Sequence, residues 1–400
     1  MGKYKIPSFA KVDKKSKKIA LMHDWFNHKS LGGAEYVTEI LDKYFTKKLS
    51  KPQLFSIVEN ISNSKLSLFS EREIKTSFIQ NLPLGRSNVQ TYLPIIPLAV
   101  EQLDFSEYDL IFSSSHAAAK GLLSSPEQLH ISYIHTPMRY AWDQMNTYLS
   151  NSTLCKFGLE PLIRYSLHKL REWDYISGKR PDYLIANSTF TSKRIKKYWG
   201  LDSKIINPPV NIKRFNPNKN RGDFYLTVNR LVPNKRTDLL IKSFNKLKLP
   251  LFIVGEGPEK EKLKRIANPN IRFLGRTSNL KVEELMSTCR AFVYAGIEDF
   301  GIAPVEAMAS GAPIIALGKG GILDTVNCFT KNDKNNISNG ILFKEQNCKS
   351  IYDAVNWFEE NKLWKKFIST DLNFKANEFC VENFIYKLDN FLEMKMDEFY

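Results

Sequence analysis

The chain has 400 residues, of which 43% are hydrophobic and 25% charged, and its formal net charge is +16. This length predicts two domains, each with its own hydrophobic core. The composition is that of a soluble globular protein, without a secretory signal or an apolar run of about 18 residues that would predict a membrane-spanning helix. The five cysteines are widely spaced and form no metal or redox motif, which is typical of a protein from a reducing cytoplasm.

Both halves of the chain are basic. Up to Pro208 there are 29 Lys and Arg against 19 Asp and Glu, and the remainder has 29 against 23. Such a charge favours nucleic acid, an anionic membrane surface or a phosphorylated substrate as a partner. The sequence has no recognisable nucleic-acid-binding motif, which makes nucleic acid the weakest of the three. Residues 1–18 carry seven lysines and few apolar residues, so we expect a flexible basic tail there.

The first ordered stretch is predicted as a strand at 19–23, a loop at 24–33 and a helix at 34–45. This order is the first unit of a Rossmann-like domain, although the complete dinucleotide motif G-x-G-x-x-G is absent. Gly32 and Gly33 allow another group to approach the backbone closely. Further strands are predicted at 54–58, 110–113, 131–135 and 183–186. Strands that alternate with helices predict a parallel sheet.

The segment from His135 to Asp143 concentrates His, Arg, Tyr, Trp and Asp directly after a predicted strand. Sites in α/β sheets lie at the carboxyl ends of strands, so this segment is a candidate ligand surface. For a lone histidine, a structural hydrogen bond is the alternative. Farther along, a basic helix at 161–180 and a basic cluster at 193–197 have two open interpretations, which are solvated helix faces or binding to a membrane surface.

Pro208 and Pro209 predict a linker, because consecutive prolines stop helices and restrict the chain. A second alternation of strands and helices follows and predicts a second doubly wound domain. Its strands are predicted at 224–229, 251–255, 271–274, 290–294 and 313–317. A final helical run at 372–394 is long enough to reach back to the first domain.

The stretch 295–311 lies between a predicted buried strand and a short helix. Glu298 falls on the loop, and Glu306 falls in the first or second turn of the helix. The N–H groups of Gly301 and Ile302 lie at the helix N-terminus, which favours an anion. Two carboxylates suit sugar hydroxyls, so the stretch fits a nucleotide sugar. A solvated loop residue and a helix-favouring residue are the alternative interpretation of the two glutamates.

Other predicted strand ends in this half also carry small or charged residues. Arg230 and Lys235 follow the first strand and can reach a diphosphate, although two surface cations are ordinary in so basic a protein. The next strand ends carry Gly255, Glu256, Arg276 and a glycine-rich segment at 318–321. That segment is a candidate phosphate-binding nest. These ends share one edge of a parallel sheet, which favours a common ligand site.

Together these motifs resemble the retaining glycosyltransferases of family GT4, which have the GT-B fold. The motifs are Asn-Arg-Leu-Val-Pro-Asn-Lys-Arg (229–236), Val-Gly-Glu-Gly-Pro (254–258), Phe-Leu-Gly-Arg (273–276) and Glu-x7-Glu (298–306). The resemblance implies an α/β architecture with two Rossmann-like domains that face an interdomain cleft. The implied regions are a basic tail at 1–18, an acceptor-binding domain at 19–208, a nucleotide-sugar-binding domain at 209–371 and a C-terminal helix at 372–400.

The resemblance also implies roles for single residues. Arg230 and Lys235 would bind the donor diphosphate, Glu298 would face hydroxyls of the transferred sugar, and His135 would contact that sugar. These four are the candidate catalytic residues. Glu306 would bind the ribose hydroxyls. The other implied donor contacts are Gly32, Gly33, Gly255, Glu256, Arg276, Gly301 and Ile302.

Fewer residues are predicted to contact the acceptor than the donor. Asp24, Arg139 and Trp142 are candidates for contacting the acceptor, and Asp24 is a candidate for orienting it or acting as a base, with a structural role as the alternative. Neither a metal nor another cofactor is expected, because the cations and helix amides would stabilise the charge on the leaving diphosphate.

Segments in the first half of the chain resemble one group within this family. Tyr92–Gln102, Ser113–His116 and His135–Asp143 look like segments of bacterial mannosyltransferases of O-antigen and related polysaccharide assembly. This similarity implies GDP-mannose as donor and a lipid-linked oligosaccharide as acceptor. It places the protein as a peripheral protein on the cytoplasmic face of the membrane. The alternatives are a GT4 transferase that uses a UDP-sugar, a nucleotide-sugar epimerase, a sugar phosphorylase and a non-catalytic nucleic-acid-binding protein.

Overall fold

The computed structural model describes residues 17–27, 32–61, 69, 72–146, 149, 158–217, 220–329 and 338–400. Most of the predicted basic tail, up to residue 16, and Cys155 lie outside the described residues. The chain divides into two compact units. The first contains Met1–Asn187, Thr191–Ile206 and Ile385–Tyr400, and the second contains Ser188–Phe190 and Asn207–Phe384.

The first unit is built on a seven-stranded sheet with the order β3-β2-β1-β4-β5-β6-β7. Its strands, all paired in parallel, are β1 Ile19–Asn27, β2 Gln53–Asn60, β3 Ile74–Thr76, β4 Leu110–Ser115, β5 Leu129–Ile134, β6 Tyr183–Ala186 and β7 Lys204–Ile205. The strands β1 to β3 follow one another towards one edge of the sheet, and β4 to β7 follow one another towards the other edge. Ligands of doubly wound sheets bind at this reversal point, outside the carboxyl ends of the two strands.

The helices of this part of the chain are α1 Gly33–Lys48, α2 Ile96–Glu101, α3 Glu160–Ser177 and α4 Thr189–Trp199. On α1, Val37, Leu41 and Phe45 recur at a spacing of four residues and are completely buried. This spacing places them on one helical face, which packs into the core. The sequence predicted α1 at 34–45, and the helix continues to Lys48.

The predicted loop at 24–33 is wrong at its start, because β1 continues to Asn27. The parallel register with β2 runs on through Trp25↔Val58 and Asn27↔Asn60. On the other side, pairing with β4 stops at His23↔Ser114. Since β2 continues alongside, the backbone of β1 still has hydrogen-bond partners after it leaves β4. Asp24 therefore lies within a strand.

The second unit has a six-stranded sheet with the order β10-β9-β8-β11-β12-β13. Its strands, also parallel, are β8 Tyr225–Val228, β9 Leu251–Val254, β10 Ile271–Gly275, β11 Ala291–Tyr294, β12 Ile314–Leu317 and β13 Gly340–Phe343. Both β11 and β12 are buried along their whole length. This burial explains their continuous apolar sequence, which is typical of parallel strands covered on both faces.

The helices that follow are α5 Thr237–Leu247, α6 Lys260–Arg265, α7 Asn279–Thr288, α8 Ile302–Ala309, α9 Cys348–Glu360, α10 Ser369–Ala376 and α11 Val381–Phe399. Here the strand order reverses between β8 and β11. The loops that follow these two strands are therefore neighbours. The two parallel-sheet units confirm the predicted fold class. No helix among the described residues is both long and apolar enough to cross a bilayer.

The predicted single helical run at 372–394 is wrong, because the chain breaks between α10 and α11. A short 3₁₀ turn, Asn377–Phe379, lies there, and Cys380 is extended with φ −65° and ψ 161°. The N–H of Val210 donates to the carbonyl of Phe379 at 2.8 Å, and Val210 pairs with Cys380 in a short parallel bridge. These contacts hold the backbone extended where a helix would continue.

Beyond this break, residues Ile385–Tyr400 belong to the first unit. Tyr44 on α1 donates a hydrogen bond to Asp389 Oδ1 at 2.6 Å, and Lys48 pairs with the same carboxylate at 2.9 Å. At the end of the chain, Tyr400 Oη donates to the carbonyl of Asp109 at 2.7 Å. The last helix is therefore attached to the first unit at both α1 and the segment before β4.

Candidate active site

The loops after β8 and β11 bring Lys235 and Glu298 into contact. Lys235 ends the 3₁₀ turn Pro233–Lys235, and its ammonium forms an ion pair with Glu298 Oε1. Tyr294, the last residue of β11, donates its hydroxyl hydrogen to the same oxygen. The side chains of Lys235 and Glu298 are only 18% and 19% exposed. Two of the predicted catalytic residues thus lie together at the reversal point of the second sheet.

Glu306 lies in the second turn of α8 and also contacts a cation. Its Oε1 is 3.1 Å from Nη2 of Arg214, whose Nε is 3.5 Å from Glu283 Oε1. Burial raises the pKa of Glu306, the Arg214 guanidinium lowers it, and the Glu283 carboxylate raises it further. Arg214 is a site residue that was not predicted from the sequence. A single arginine shortly after a linker in a basic chain carries no signal of its own.

The N-terminus of α8 lies between the two glutamates in the chain. Gly301 precedes the helix with φ +94°, a left-handed conformation that favours glycine, and Ile302 is the first helical residue. The first N–H groups of an α-helix have no acceptor within the helix, so this end suits an anion. The prediction that a helix begins between Glu298 and Glu306 is confirmed, since α8 starts at Ile302.

The glycines after β9 serve packing between loops. Gly255 has φ +136°, and a Cβ there would lie 1.9 Å from the carbonyl oxygen of Asn229. This glycine lets the loop after β9 lie directly against the segment that carries Arg230. Next to it, the exposed Glu256 accepts a hydrogen bond from Lys260 at 2.7 Å, and this bond lowers the pKa of Glu256.

Arg230 and Arg276 are exposed at the ends of β8 and β10. The guanidinium of Arg230 makes no ion pair or side-chain hydrogen bond with another residue in the described part of the chain. It therefore differs from Lys235, whose charge is balanced by Glu298.

The predicted phosphate nest at 318–321 is wrong. The N–H of Gly321 donates to the carbonyl of Glu298 at 2.8 Å, and the N–H of Gly318 donates to the carbonyl of Phe343. At Gly320, φ is +88°, and a Cβ would lie 2.6 Å from the Glu298 carbonyl oxygen. Since these amides and this close approach serve the neighbouring backbone, the segment braces the Glu298 loop.

In the first unit, Asp24 is completely buried and accepts four backbone hydrogen bonds. Its Oδ2 accepts from the N–H groups of His116 (2.5 Å) and Ala117 (3.0 Å), and its Oδ1 accepts from Ala118 (2.5 Å) and Ala119 (2.7 Å). These bonds hold the turn after β4 onto β1. The geometry favours the structural role that the sequence analysis left open for Asp24.

His135 lies at the carboxyl end of β5 and is almost completely buried. Its Nε2 is 2.9 Å from Ser114 Oγ, and His23 Nδ1 is 3.0 Å from the Ser114 carbonyl oxygen. A carbonyl only accepts, so Nδ1 of His23 carries the hydrogen. Burial lowers the pKa of His23 to about 3 and that of His135 well below its usual value. Both imidazoles are therefore neutral near pH 7.

His116 was not singled out from the sequence as a site residue, although it lies at the carboxyl end of β4. Its side chain is 22% exposed, and its Nδ1 is 3.8 Å from Asp24 Oδ2. Its ring meets Trp25 edge-on with ring centroids 4.5 Å apart. Three histidines, His23, His116 and His135, meet at the reversal point of this sheet. His116 is the most exposed of the three.

Trp142 and Arg139 make contacts within the first unit. Trp142 stacks on Tyr198 with ring centroids 4.5 Å apart and donates its indole N–H to the buried Asp174 at 2.7 Å. Asp174 also pairs with the buried Lys120 at 2.6 Å, a pair that no sequence pattern indicated. Arg139 is half-buried, with its Nε 3.4 Å from Thr136 Oγ1.

Gly32 and Gly33 lie at the start of α1, of which Gly33 is the first residue. The N–H of Gly32 donates to Glu35 Oε2 at 2.8 Å. Burial raises the pKa of Glu35, and the hydrogen bond from the N–H of Gly32 opposes this rise. The helix N-terminus is therefore stabilised by a carboxylate of its own first turn.

Comparison with known proteins is consistent with this geometry. Residues 210–376 match the family model described as glycosyl transferases group 1. Anabaena Alr3699/HepE, solved in complex with UDP-glucose, superposes with a TM-score of 0.65 at 16% identity, covering 94% of this chain and 100% of that one. Sucrose-phosphate synthase from Thermosynechococcus elongatus superposes with a TM-score of 0.68 at 14% identity, covering 96% and 100%. The fold is GT-B.

Curated relatives match over shorter regions. Glycogen synthase of Mycoplasma mobile is 28% identical over 53% of this chain and 47% of its own length. A GDP-mannose-dependent monoacylated alpha-(1-6)-phosphatidylinositol monomannoside mannosyltransferase of Corynebacterium glutamicum is 30% identical over 42% and 50%. The O-antigen chain mannosyltransferase RfbU of Salmonella typhimurium is 28% identical over 35% and 43%. The chain spans about half the length of the curated relatives it matches.

The family match therefore covers most of the second unit. The whole-chain superpositions show the GT-B fold, and the curated relatives that the chain resembles include mannosyltransferases.

Proposed function

We propose that this protein is a retaining glycosyltransferase that moves mannose from GDP-mannose to a lipid-linked oligosaccharide acceptor in the assembly of O-antigen or a related surface polysaccharide. The observation that carries the proposal is the arrangement at the reversal point of the second sheet. Lys235 and Glu298 lie in contact there, and the exposed Arg230 follows the same strand as Lys235. This region of the matched family domain therefore contains two cations that can bind a diphosphate, Arg230 and Lys235. It also contains a carboxylate, Glu298, that can bind sugar hydroxyls.

In the proposed reaction, the bond between the sugar C1 and the diphosphate oxygen breaks, and a bond between C1 and the acceptor hydroxyl oxygen forms on the same face. The transition state resembles an oxocarbenium ion. The acceptor proton passes to the departing diphosphate. Arg230, Lys235 and the N-terminal amides of α8 stabilise the negative charge that develops on that group. On this proposal the chain needs neither a bound metal nor an assigned nucleophile.

A UDP-sugar is the second candidate donor. It is favoured by a specific observation, because a structural neighbour that covers 94% of the chain was solved with UDP-glucose. Both candidates use the same diphosphate site, so they differ in the base and in the sugar. Measuring donor hydrolysis and binding across GDP-mannose, UDP-glucose, UDP-galactose and UDP-N-acetylglucosamine, with and without metal, separates them.

Selective use of GDP-mannose supports the mannosyltransferase. Selective use of a UDP-sugar discards GDP-mannose and keeps the transferase. Conversion of the donor sugar to its epimer without an acceptor identifies an epimerase. Absence of binding and turnover with each of these donors, repeated with an extract of lipid-linked glycans as acceptor, contradicts the proposal.

For the acceptor, we infer that the first unit binds the inner face of the cytoplasmic membrane. The support is α3, where Leu162, Tyr165 and Ile176 are 64%, 60% and 57% exposed. Helical spacing places these three side chains on one stripe, with Lys169 between them. An apolar stripe suits a lipid surface. Lys169 pairs with Glu172 at 2.9 Å, but its side chain is 54% exposed and accessible to anionic headgroups. Cosedimentation with vesicles tests this, because Leu162→Glu together with Ile176→Glu should abolish binding to anionic vesicles. Binding equal to that of the unchanged protein would refute the surface.

A further inference from the structure

Arg214 lies in a half-buried site that no sequence motif indicated. It ends the 3₁₀ turn Ile212–Arg214, close to the start of the second unit. Its Nη2 is 3.1 Å from Glu306 Oε1, and its Nε is 3.5 Å from Glu283 Oε1 on α7. The side chains of Arg214 and Glu306 are 28% and 22% exposed. One guanidinium therefore bridges two carboxylates that come from two different helices.

We propose that Arg214 is a positioning residue for Glu306, holding its carboxylate charged and oriented to accept hydrogen bonds from the ribose 2′ and 3′ hydroxyls of a nucleoside diphosphate sugar. This inference rests on the proposed function, because the ribose role of Glu306 is part of that proposal. Arg214 binds Oε1, and no side chain in the described part of the chain donates to Oε2. One carboxylate oxygen is thus fixed and the other is available to a diol.

The charges around Glu306 explain why a positioning cation is needed. Burial and the Glu283 carboxylate both favour the protonated form of Glu306, and Arg214 opposes them. The other charged side chains of α7 are Lys281 and Glu284, which pair with each other. On α10, which also packs against α8, they are Asp371 and Lys375, and Lys375 pairs with Glu378. Arg214 is the only cation of the described residues within ion-pair distance of Glu306.

The choice of arginine follows from the geometry. A guanidinium presents several N–H donors in a fixed plane and stays charged at any physiological pH. It can therefore contact Glu283 and Glu306 at the same time. A lysine would supply the charge but not the fixed plane. A charged carboxylate also accepts stronger hydrogen bonds from hydroxyls than a protonated one does.

The test compares Arg214→Gln and Arg214→Lys with a control, Arg272→Gln. Arg272 is exposed and lies over the Phe252 ring, 5.6 Å from its centroid. Calorimetric titration with GDP, UDP and their 2′-deoxy counterparts gives the ratio of ribo to deoxy affinity. We expect Arg214→Gln to weaken binding of the ribonucleotide about tenfold and binding of the deoxynucleotide much less. Arg214→Lys should have a smaller effect on the ribonucleotide than Arg214→Gln. The control Arg272→Gln should bind both nucleotides as the unchanged protein does. An unchanged ratio in Arg214→Gln overturns the proposal.

A second measurement does not depend on any nucleotide. In protein labelled with ¹³C at the glutamate carboxyls, the Glu306 signal is assigned by its loss in Glu306→Gln. Arg214→Gln should raise the pKa of Glu306, and nucleotide binding by this variant should weaken as the pH is lowered towards that pKa. An unchanged pKa refutes the positioning role. If the unchanged protein binds no nucleoside diphosphate, the proposed function fails, and the ribose role of Arg214 fails with it, whatever the pKa.

Discussion

Lys235 and Glu298 neutralise each other through an ion pair between the ammonium and Oε1, and Tyr294 donates to the same oxygen. One partner is a proposed ligand of the donor diphosphate and the other a proposed ligand of the donor sugar. A donor that binds here must therefore compete with Glu298 for the lysine. Once the diphosphate holds Lys235, the Glu298 carboxylate is released towards hydroxyl groups.

Replacing Lys235 by Ala should cut turnover about 100-fold or more, because the leaving diphosphate loses a cation in a partly buried site. The measurement is the steady-state rate with whichever of the four nucleotide sugars proves to be the donor. Lys242→Ala, a change at an exposed lysine on α5, is the matched control. Turnover at the unchanged rate in Lys235→Ala would remove this residue from the diphosphate site.

Glu298→Gln should separate binding of the nucleotide from turnover. Since Lys235 no longer has a carboxylate partner, GDP or UDP alone should bind several-fold more tightly, by about 1 kcal/mol. Turnover should fall because the sugar loses a charged acceptor. Calorimetry with the free nucleotide and rate measurements with the sugar donor test the two effects. Weaker binding of free nucleotide would contradict a competition between Glu298 and the diphosphate.

Asp24→Asn should destabilise the first unit by about 3 kcal/mol, because the buried amide replaces one acceptor oxygen with a donor that faces two backbone N–H groups. Chemical denaturation followed by near-ultraviolet circular dichroism measures the loss. The control is Asp202→Asn, since Asp202 is 90% exposed and pairs with Lys196 on the surface. A stability equal to that of the control would mean that the four hydrogen bonds contribute little.

The stability of the first unit should also fall in mild acid. Burial lowers the pKa values of His23 and His130 to about 3, below the value of about 6.5 expected in the unfolded chain. Between these values the unfolded chain binds more protons, so the unfolding free energy decreases as the pH falls, by up to about 1.4 kcal/mol per pH unit for each histidine. His130→Asn should reduce the slope, whereas His168→Gln, at an exposed position, should not. An unfolding free energy that stays constant between about pH 4 and 6, which lies between the folded and unfolded pKa values, would contradict buried neutral histidines.

The sequence predicted most of the second sheet because its strands are short continuous apolar runs. It also placed Glu298 on the loop after a buried strand and Glu306 in the short helix that follows. It failed where long-range contacts decide. Asp24 lies in a strand because β2 continues beside it, and the last helical run breaks where Val210 pairs with Cys380. The glycines at 318–321 suggested a phosphate nest, but the N–H groups of Gly318 and Gly321 donate to backbone carbonyls of neighbouring segments.

Charge partners were equally hidden from the sequence. The pairs Lys235–Glu298 and Arg214–Glu306 join residues that are 63 and 92 positions apart. In so basic a chain, no local pattern tells these cations from those of a solvated surface. The resemblance to a known family indicated which glutamates and which lysine matter. It could not indicate that each glutamate has a cationic partner in the second unit.

The return of residues 385–400 to the first unit affects how the chain folds during synthesis. The ribosome completes residues 17–206 long before it adds the helix whose Asp389 binds Tyr44 and Lys48. The second unit, almost entirely continuous from Asn207 to Phe384, can complete its packing first. Until residues 385–400 have been made, the first unit lacks this helix and leaves the α1 surface open. A chaperone that binds nascent chains would find its target there, in the half of the protein that was made first.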